Sequence, residues 1–338
     1  MIKAIRQHLA VLLRGRWQAP AMLLAVGLAA LTVYRLRPKP EVVPFETLLA
    51  QIIELADAGR FHDATDSIAN LIAEEPPRPD AELAELHETL AAILYRQERM
   101  RAKPIRSNVE MLLAEHEAAS RLGWPPSAIG DIRAGWAHEQ LLNINAAVAD
   151  YRAALGRDPS ADERRVAMQA LVRLLETRPG AESERRGYID ALLAEQGVAP
   201  AYTWWAIQHA VQQSLDYQNL ARARELVERH ADRFARSDLR GYRDYLEAWV
   251  LVAEGDHARA APLLDAVGSW IESAPARDPA LDRNGYLPSL REWLLGEIDL
   301  REDRPQQALH HYNRALALKD DGEELERSAV GRMRALAA

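Results

Sequence analysis

The sequence has no cysteine among its 338 residues. Disulfides, thiolate metal sites, iron–sulfur clusters and cysteine nucleophiles are therefore excluded, although the absence suits oxidising and reducing compartments alike. Lysine is almost as scarce. Only Lys3, Lys39, Lys103 and Lys319 occur, beside abundant arginine and alanine, a usage that points to a GC-rich bacterial genome. Signatures of chemistry are missing too. No stretch reads GxxxxGK[ST], GxGxxG or GxSxG, so phosphate loops, dinucleotide fingerprints and nucleophile elbows are not indicated. No HExxH occurs, because His87-Glu88 leads to Ala91 and His116-Glu117 to Ser120 where a second histidine is needed. No convincing strand pattern follows Phe45.

What is present is unevenly distributed. Residues 1–40 carry seven basic side chains and no acid, so the net charge of -8 leaves the rest at -15. An acidic body of that size argues against nucleic acid as a partner. The basic start flanks residues 17–34, WQAPAMLLAVGLAALTVY, which carry no charge. As a helix this run is about 27 Å long, close to the roughly 30 Å of a bilayer core. Trp17 and Tyr34 stand at its two ends, where amphipathic rings prefer the interface. A cleaved signal peptide shares the basic start and apolar middle, and a buried soluble helix is a third reading. However, Arg35-Leu36-Arg37 follow at once with no small-x-small site. The expectation is therefore a basic segment at 1–16 and one uncleaved transmembrane helix at 17–34. Four basic side chains and the α-amine precede the span and three basic side chains follow it. The positive-inside rule then places the body in the periplasm, anchored in a bacterial inner membrane. Pro38, Pro40 and Pro44 make residues 35–44 an extended, stiff linker.

From residue 45 onward apolar residues recur at helical spacing between short breaks, and degenerate units repeat. The clearest is Gly135-Trp136, Ala147, Tyr151, Ala154 and Pro159. A second is Leu295-Gly296, Ala308, Tyr312 and Ala315, with Asp320 in the proline's place. Others are Gly59, Ala64, Ile68, Leu71 and Pro76; Gly255-Asp256, Ala260, Leu264 and Val267; and, more weakly, Ala223, Val227 and His230. These units resemble the tetratricopeptide-repeat family, here of a membrane-anchored bacterial type. The resemblance implies an all-α fold, an α-solenoid of helical hairpins. Its spacing has a physical reason. Two antiparallel helices approach closely only where small side chains meet, and the residue four further on fills the groove beside the crossing. Gly59 and Gly255 suit the end of a first helix. Pro159 and Pro76 suit the stop of a second. Each hairpin leaves an apolar face for its neighbour, so the array is stable only as a stack.

The anchor alanines at 64, 147, 223, 260 and 308 are spaced irregularly about a nominal 34-residue unit. Two less recognisable hairpins are needed to fill the gaps, with helices predicted near 81–100 and 106–122 and near 161–177 and 183–196. The repeat domain is expected over 45–338, with a capping helix at about 323–338. An irregular solenoid or bundle of another family is the alternative.

No residue is singled out as catalytic, cofactor-binding or metal-ligating. Glu115, His116 and Glu117 read as a solvated face, and His310 and His311 as one surface and one partly buried histidine. Of the aromatics, Trp204 and Trp205 open a helix; the first reading is that both are packed in the core, and the alternative is that one of them faces outward as a candidate partner contact. Some members of the family grip carboxylate termini with lysine, asparagine and arginine. With Lys103 and Lys319 the body's only lysines, that clamp is not expected here, and an acidic body with scattered arginine suggests a partner of mixed or basic charge. The functional expectation is a binding scaffold without enzymatic activity. It would hold a protein or peptide partner in a solenoid groove during envelope complex assembly or quality control. A permanent accessory subunit of a membrane complex is the alternative, and an enzyme with an unrecognised site a more distant one.

Overall fold

The computed structural model describes residues 43–74, 77–176, 178–195, 200–234, 239–273, 287–318 and 323–337. The expected membrane span at 17–34 and nearly all of the linker lie outside them, as do Pro76 and Asp320. Among the described residues no helix is long and apolar enough to cross a membrane, and no strand occurs.

The described chain forms helices that pair in sequence order. The first hairpins are α1 (Phe45–Asp57) with α2 (Phe61–Ile72), α3 (Asp80–Arg99) with α4 (Arg106–Arg121), and α5 (Ala128–Gln140) with α6 (Ile144–Leu155). Next come α7 (Ala161–Leu175) with α8 (Glu182–Ala194), and α9 (Pro200–Asp216) with α10 (Leu220–Arg229). A 3₁₀ turn at Ala231–Phe234 leads to α11 (Arg240–Glu254) with α12 (His257–Ser273), then α13 (Leu287–Arg301) with α14 (Pro305–Leu318). Helix α15 (Glu323–Ala337) packs on both α13 and α14.

Small residues sit where the helices cross. Ala64, Ala147, Ala223, Ala260 and Ala308 have no accessible surface at all. Five residues before each stands a turn residue with positive φ: Gly59 (76°), Leu142 (62°), Gln218 (54°), Gly255 (83°) and Asp303 (58°). The next backbone N–H in each case reaches back to a carbonyl five residues earlier, as in Asn143 N to His138 O at 2.8 Å. This is the Schellman closure that ends a helix and fixes where the next begins. The two glycines adopt that conformation freely; Leu142, Gln218 and Asp303 hold it at a cost.

The two best-formed units share a further contact. A Cβ on Gly135 would come within 3.2 Å of the Tyr151 ring, and one on Gly296 within 2.7 Å of Tyr312. At Gly296 a side chain would force the ring to shift, and at Gly135 the fit is tight. Burial raises both tyrosines far above the usual phenol range, so each hydroxyl stays protonated and donates: Tyr151 to Glu139 at 3.3 Å, Tyr312 to Glu297 at 2.8 Å. Tyr312 is also met by Gly331 of α15, where a Cβ would lie 2.5 Å from the ring. Ala154 and Ala315 are buried below the tyrosines, and Pro159 is buried beyond α6.

The core is continuous along the stack. One cluster runs from Ile52 to Leu175 and a second from Met168 to Ile298; Leu155 and Tyr188 pack against both.

Candidate functional site

The first helices of successive hairpins, α1, α3 and α5, lie side by side, and a groove of about 920 Å³ opens along them. Its floor is Ala56 of α1 and Thr89, Ala92 and Ile93 of α3. Short side chains here leave volume that larger ones would fill. Ile53 of α1 is 45% exposed at one side, and Met100, at the end of α3, is 73% exposed at the rim. The opposite wall is Trp124-Pro125-Pro126. Gly123, at φ 91°, turns the chain after α4, and Trp124 N closes that helix by bonding to Ala119 O at 2.9 Å. The two prolines keep the segment extended until Ser127 caps α5, its hydroxyl accepting from Gly130 N at 3.1 Å. The wall therefore follows from its own sequence.

Tyr95 is held edge-to-face against Trp136 of α5, with ring centroids 5.2 Å apart at 89°. Arg99 lies over the same Tyr95 ring at 5.7 Å. Arg96 pairs with Asp57 of α1. Arg99 makes no ion pair among the described residues, and its contact is with the Tyr95 ring.

Behind the floor lies a crossed set of charges. Glu88 of α3, 7% exposed, accepts from Arg133 of α5 at 2.6 Å and bonds His116 Nδ1 of α4 at 3.1 Å. Its neighbour His87 meets Glu115 of α4 at 2.5 Å. The Glu88 hydrogen bond raises the His116 pKa above its usual value, against the opposing pull of burial. Glu115 and His116 are thus partly buried cross-helix partners and not the solvated face expected of them; Glu117 alone is exposed. The predicted HExxH mismatch had treated each His-Glu pair singly, whereas the fold joins the two pairs across helices. Among the described residues no group of histidines and acids is arranged to hold a metal ion.

Other buried acids are structural ties. Glu98, with no exposure, accepts from Ile105 N at 2.6 Å, Asn108 Nδ2 at 2.7 Å and Arg101 Nε at 3.1 Å, which fixes the long α3–α4 turn. Burial alone would raise Glu292, but its bond to His311 at 2.8 Å and the nearby Arg314 and Arg291 hold it below the usual carboxylate range. His310 is exposed, so the two adjacent histidines face different surroundings.

Trp204 and Trp205 do not offer a partner contact. Trp204 has no exposure and Trp205 only 8%. The reading of both rings as core holds, and the alternative of one outward ring fails because it needs a solvent face on α9, whereas every residue from Trp204 to Ser214 is buried. Trp204 packs on Tyr242 at 4.7 Å, Tyr245 at 6.3 Å and Phe234 at 6.5 Å, and Trp205 stacks on His209 at 4.1 Å. The groove instead lies in the first three hairpins. Ile53 and Met100, apolar at helix positions that a soluble surface does not need, were the available signal for it.

No protein-family profile matches the sequence, and no curated protein matches it. Among solved structures the chain is similar to a tetratricopeptide repeat protein from Parabacteroides merdae, with a TM-score of 0.54 and 17% identity over 86% of this chain and 98% of that one. The fold is therefore tetratricopeptide-like.

Proposed function

We propose that this chain is a membrane-anchored scaffold that holds a segment of another protein in the groove of α1, α3 and α5. The observation that carries the reading is the groove itself, an open apolar trough with exposed Ile53 and Met100 on helices that are otherwise well packed. Apolar groups left uncovered on such a surface mark places where a partner docks. The tetratricopeptide-like fold supports this, since stacked hairpins give a preformed surface that lowers the ordering cost of an incoming segment. The mechanism is binding without a chemical step. Its strongly buried acids among the described residues, Glu88, Glu98, Glu292, Glu297 and Asp299, are tied by hydrogen bonds and ion pairs that brace neighbouring helices and turns. The membrane tether rests on the uncharged run at 17–34 and its basic flanks.

A photo-reactive residue placed at Ala92 in the full chain, in native membranes, should give discrete crosslinked partners. The same residue at the exposed Glu225 of α10 should not. Equal labelling from both positions overturns the groove as the site. Protease added to spheroplasts should digest residues 45–338; protection there, with digestion in inverted vesicles, reverses the orientation.

A further inference from the structure

We infer that the segment held in this groove is an amphipathic α-helix whose apolar stripe is flanked by carboxylates. The inference rests on the groove being the partner site, and deepens that reading.

The first argument is an account of backbone hydrogen bonds. The groove is built largely from helices, whose backbone groups are already paired internally, so it has no strand edge to offer. An extended occupant would bring one N–H and one C=O per residue into it. Few side chains could receive them. Ser127 is committed to Gly130 N, Glu88 to Arg133 and His116, and Arg96 to Asp57. A helical occupant satisfies its own backbone and needs only side-chain complementarity. The apolar groups fit that demand. Ile53 of α1, Ile93 and Met100 of α3 and its end, and Trp124 of the turn before α5 stand around one trough, the arrangement that receives residues spaced three and four apart on a helix. Met100, flexible and exposed, adapts to the shape it meets.

The second argument is charge. Three arginines and one glutamate line the groove. Arg133 is neutralised by Glu88 and Arg96 shares Asp57, while Arg99 lies on Tyr95 with no carboxylate among the described residues. The rim therefore presents an uncompensated cation in a body that is acidic as a whole. Complementarity at this place calls for an acidic flank, opposite to the mixed or basic partner that the overall charge suggests.

The test is selection of short random-sequence peptides on full-length protein in lipid nanodiscs, with Ala92→Trp as the filled-groove control and thermal melts to confirm folding of each variant. Enriched peptides should show apolar residues at helical spacing beside Asp or Glu. They should gain helical circular dichroism on binding and lose it with Ala92→Trp. Arg99→Glu should weaken them about tenfold and favour Lys-flanked versions. Enriched peptides that bind the groove in extended form, or that prefer basic flanks, overturn the inference and leave the scaffold reading standing. No enrichment, or binding indifferent to Ala92→Trp, overturns both.

Discussion

In α3, Tyr95, Arg96, Arg99 and Met100 border an open groove, whereas in α9 an unbroken run from Trp204 to Ser214 is buried. Both are first helices of hairpins in one stack. The difference lies in side-chain volume. Beside the groove the facing positions are Ala56, Thr89 and Ala92. In the C-terminal half, Trp204, Tyr242, Tyr245 and Trp249 interlock, and the chain of ring contacts continues to Trp270 and Trp293 at 5.6 Å each. The same architecture therefore gives an open groove or a solid core, according to whether small or aromatic residues occupy it.

The comparison breaks most easily at its tryptophans. Trp204→Ala should cost about 3–5 kcal/mol, while Trp124→Ala on the groove wall should cost less than about 1 kcal/mol. Urea unfolding of both variants decides it; equal losses would show that the groove wall is core after all. Glycines offer the next contrast. A Cβ on Gly241 would run into the Trp270 ring, so Gly241→Ala should destabilise by about 1–3 kcal/mol. Gly187 has open space around it in α8, and Gly187→Ala should stabilise by about 0.5–1 kcal/mol in the same assay.

A smaller effect is expected from pH. The folded pKa of His116 is raised above its ordinary 6.5, so its contribution is fully present below that value and is lost as pH rises through the folded pKa. Glu88, Arg133 and Asp131 are the charges that face it. Wild type should exceed His116→Gln in melting temperature at mildly acidic pH, and the gap should close toward alkaline pH. A constant gap would mean that the link between α3, α4 and α5 does not depend on the proton. The smallest change is expected at Leu142, which is 81% exposed and holds φ 62° without packing in return. Leu142→Gly should stabilise by about 0.5–1 kcal/mol, whereas a loss would assign that side chain a contact.

Much of the fold was legible because its small residues have no substitute. Ala147 and Ala308 are followed at fixed spacing by a tyrosine that needs Gly135 or Gly296 opposite it, and such pairs mark a helix crossing in the sequence itself. The α7–α8 hairpin was harder to read because Arg185 takes the place of the anchor alanine. It is 3% exposed, its Nε donates to Val172 O at 3.1 Å, and its guanidinium pairs with Glu176 at 3.3 Å. No composition rule expects an arginine there. In α3–α4 a longer turn braced by Glu98 replaces the glycine turn, so the usual marker is missing. The groove was hard to read for a different reason. It arises from the first helices of three successive hairpins, and its emptiness depends on side chains that are short, so that only the exposed Ile53 and Met100 mark it. Tryptophan drew attention to α9, and there the rings turned out to be filling.

Tyr312 lies against both Gly296 and Gly331. To the last hairpin, α15 therefore offers the vacancy that one more hairpin would offer, and Arg334 fastens it by pairing with Glu297 at 3.2 Å. A protein shortened at Leu318 would bare the part of that ring which Gly331 now covers. Helix α15 thus covers, on the last described hairpin, the side that the first helix of a further hairpin would cover.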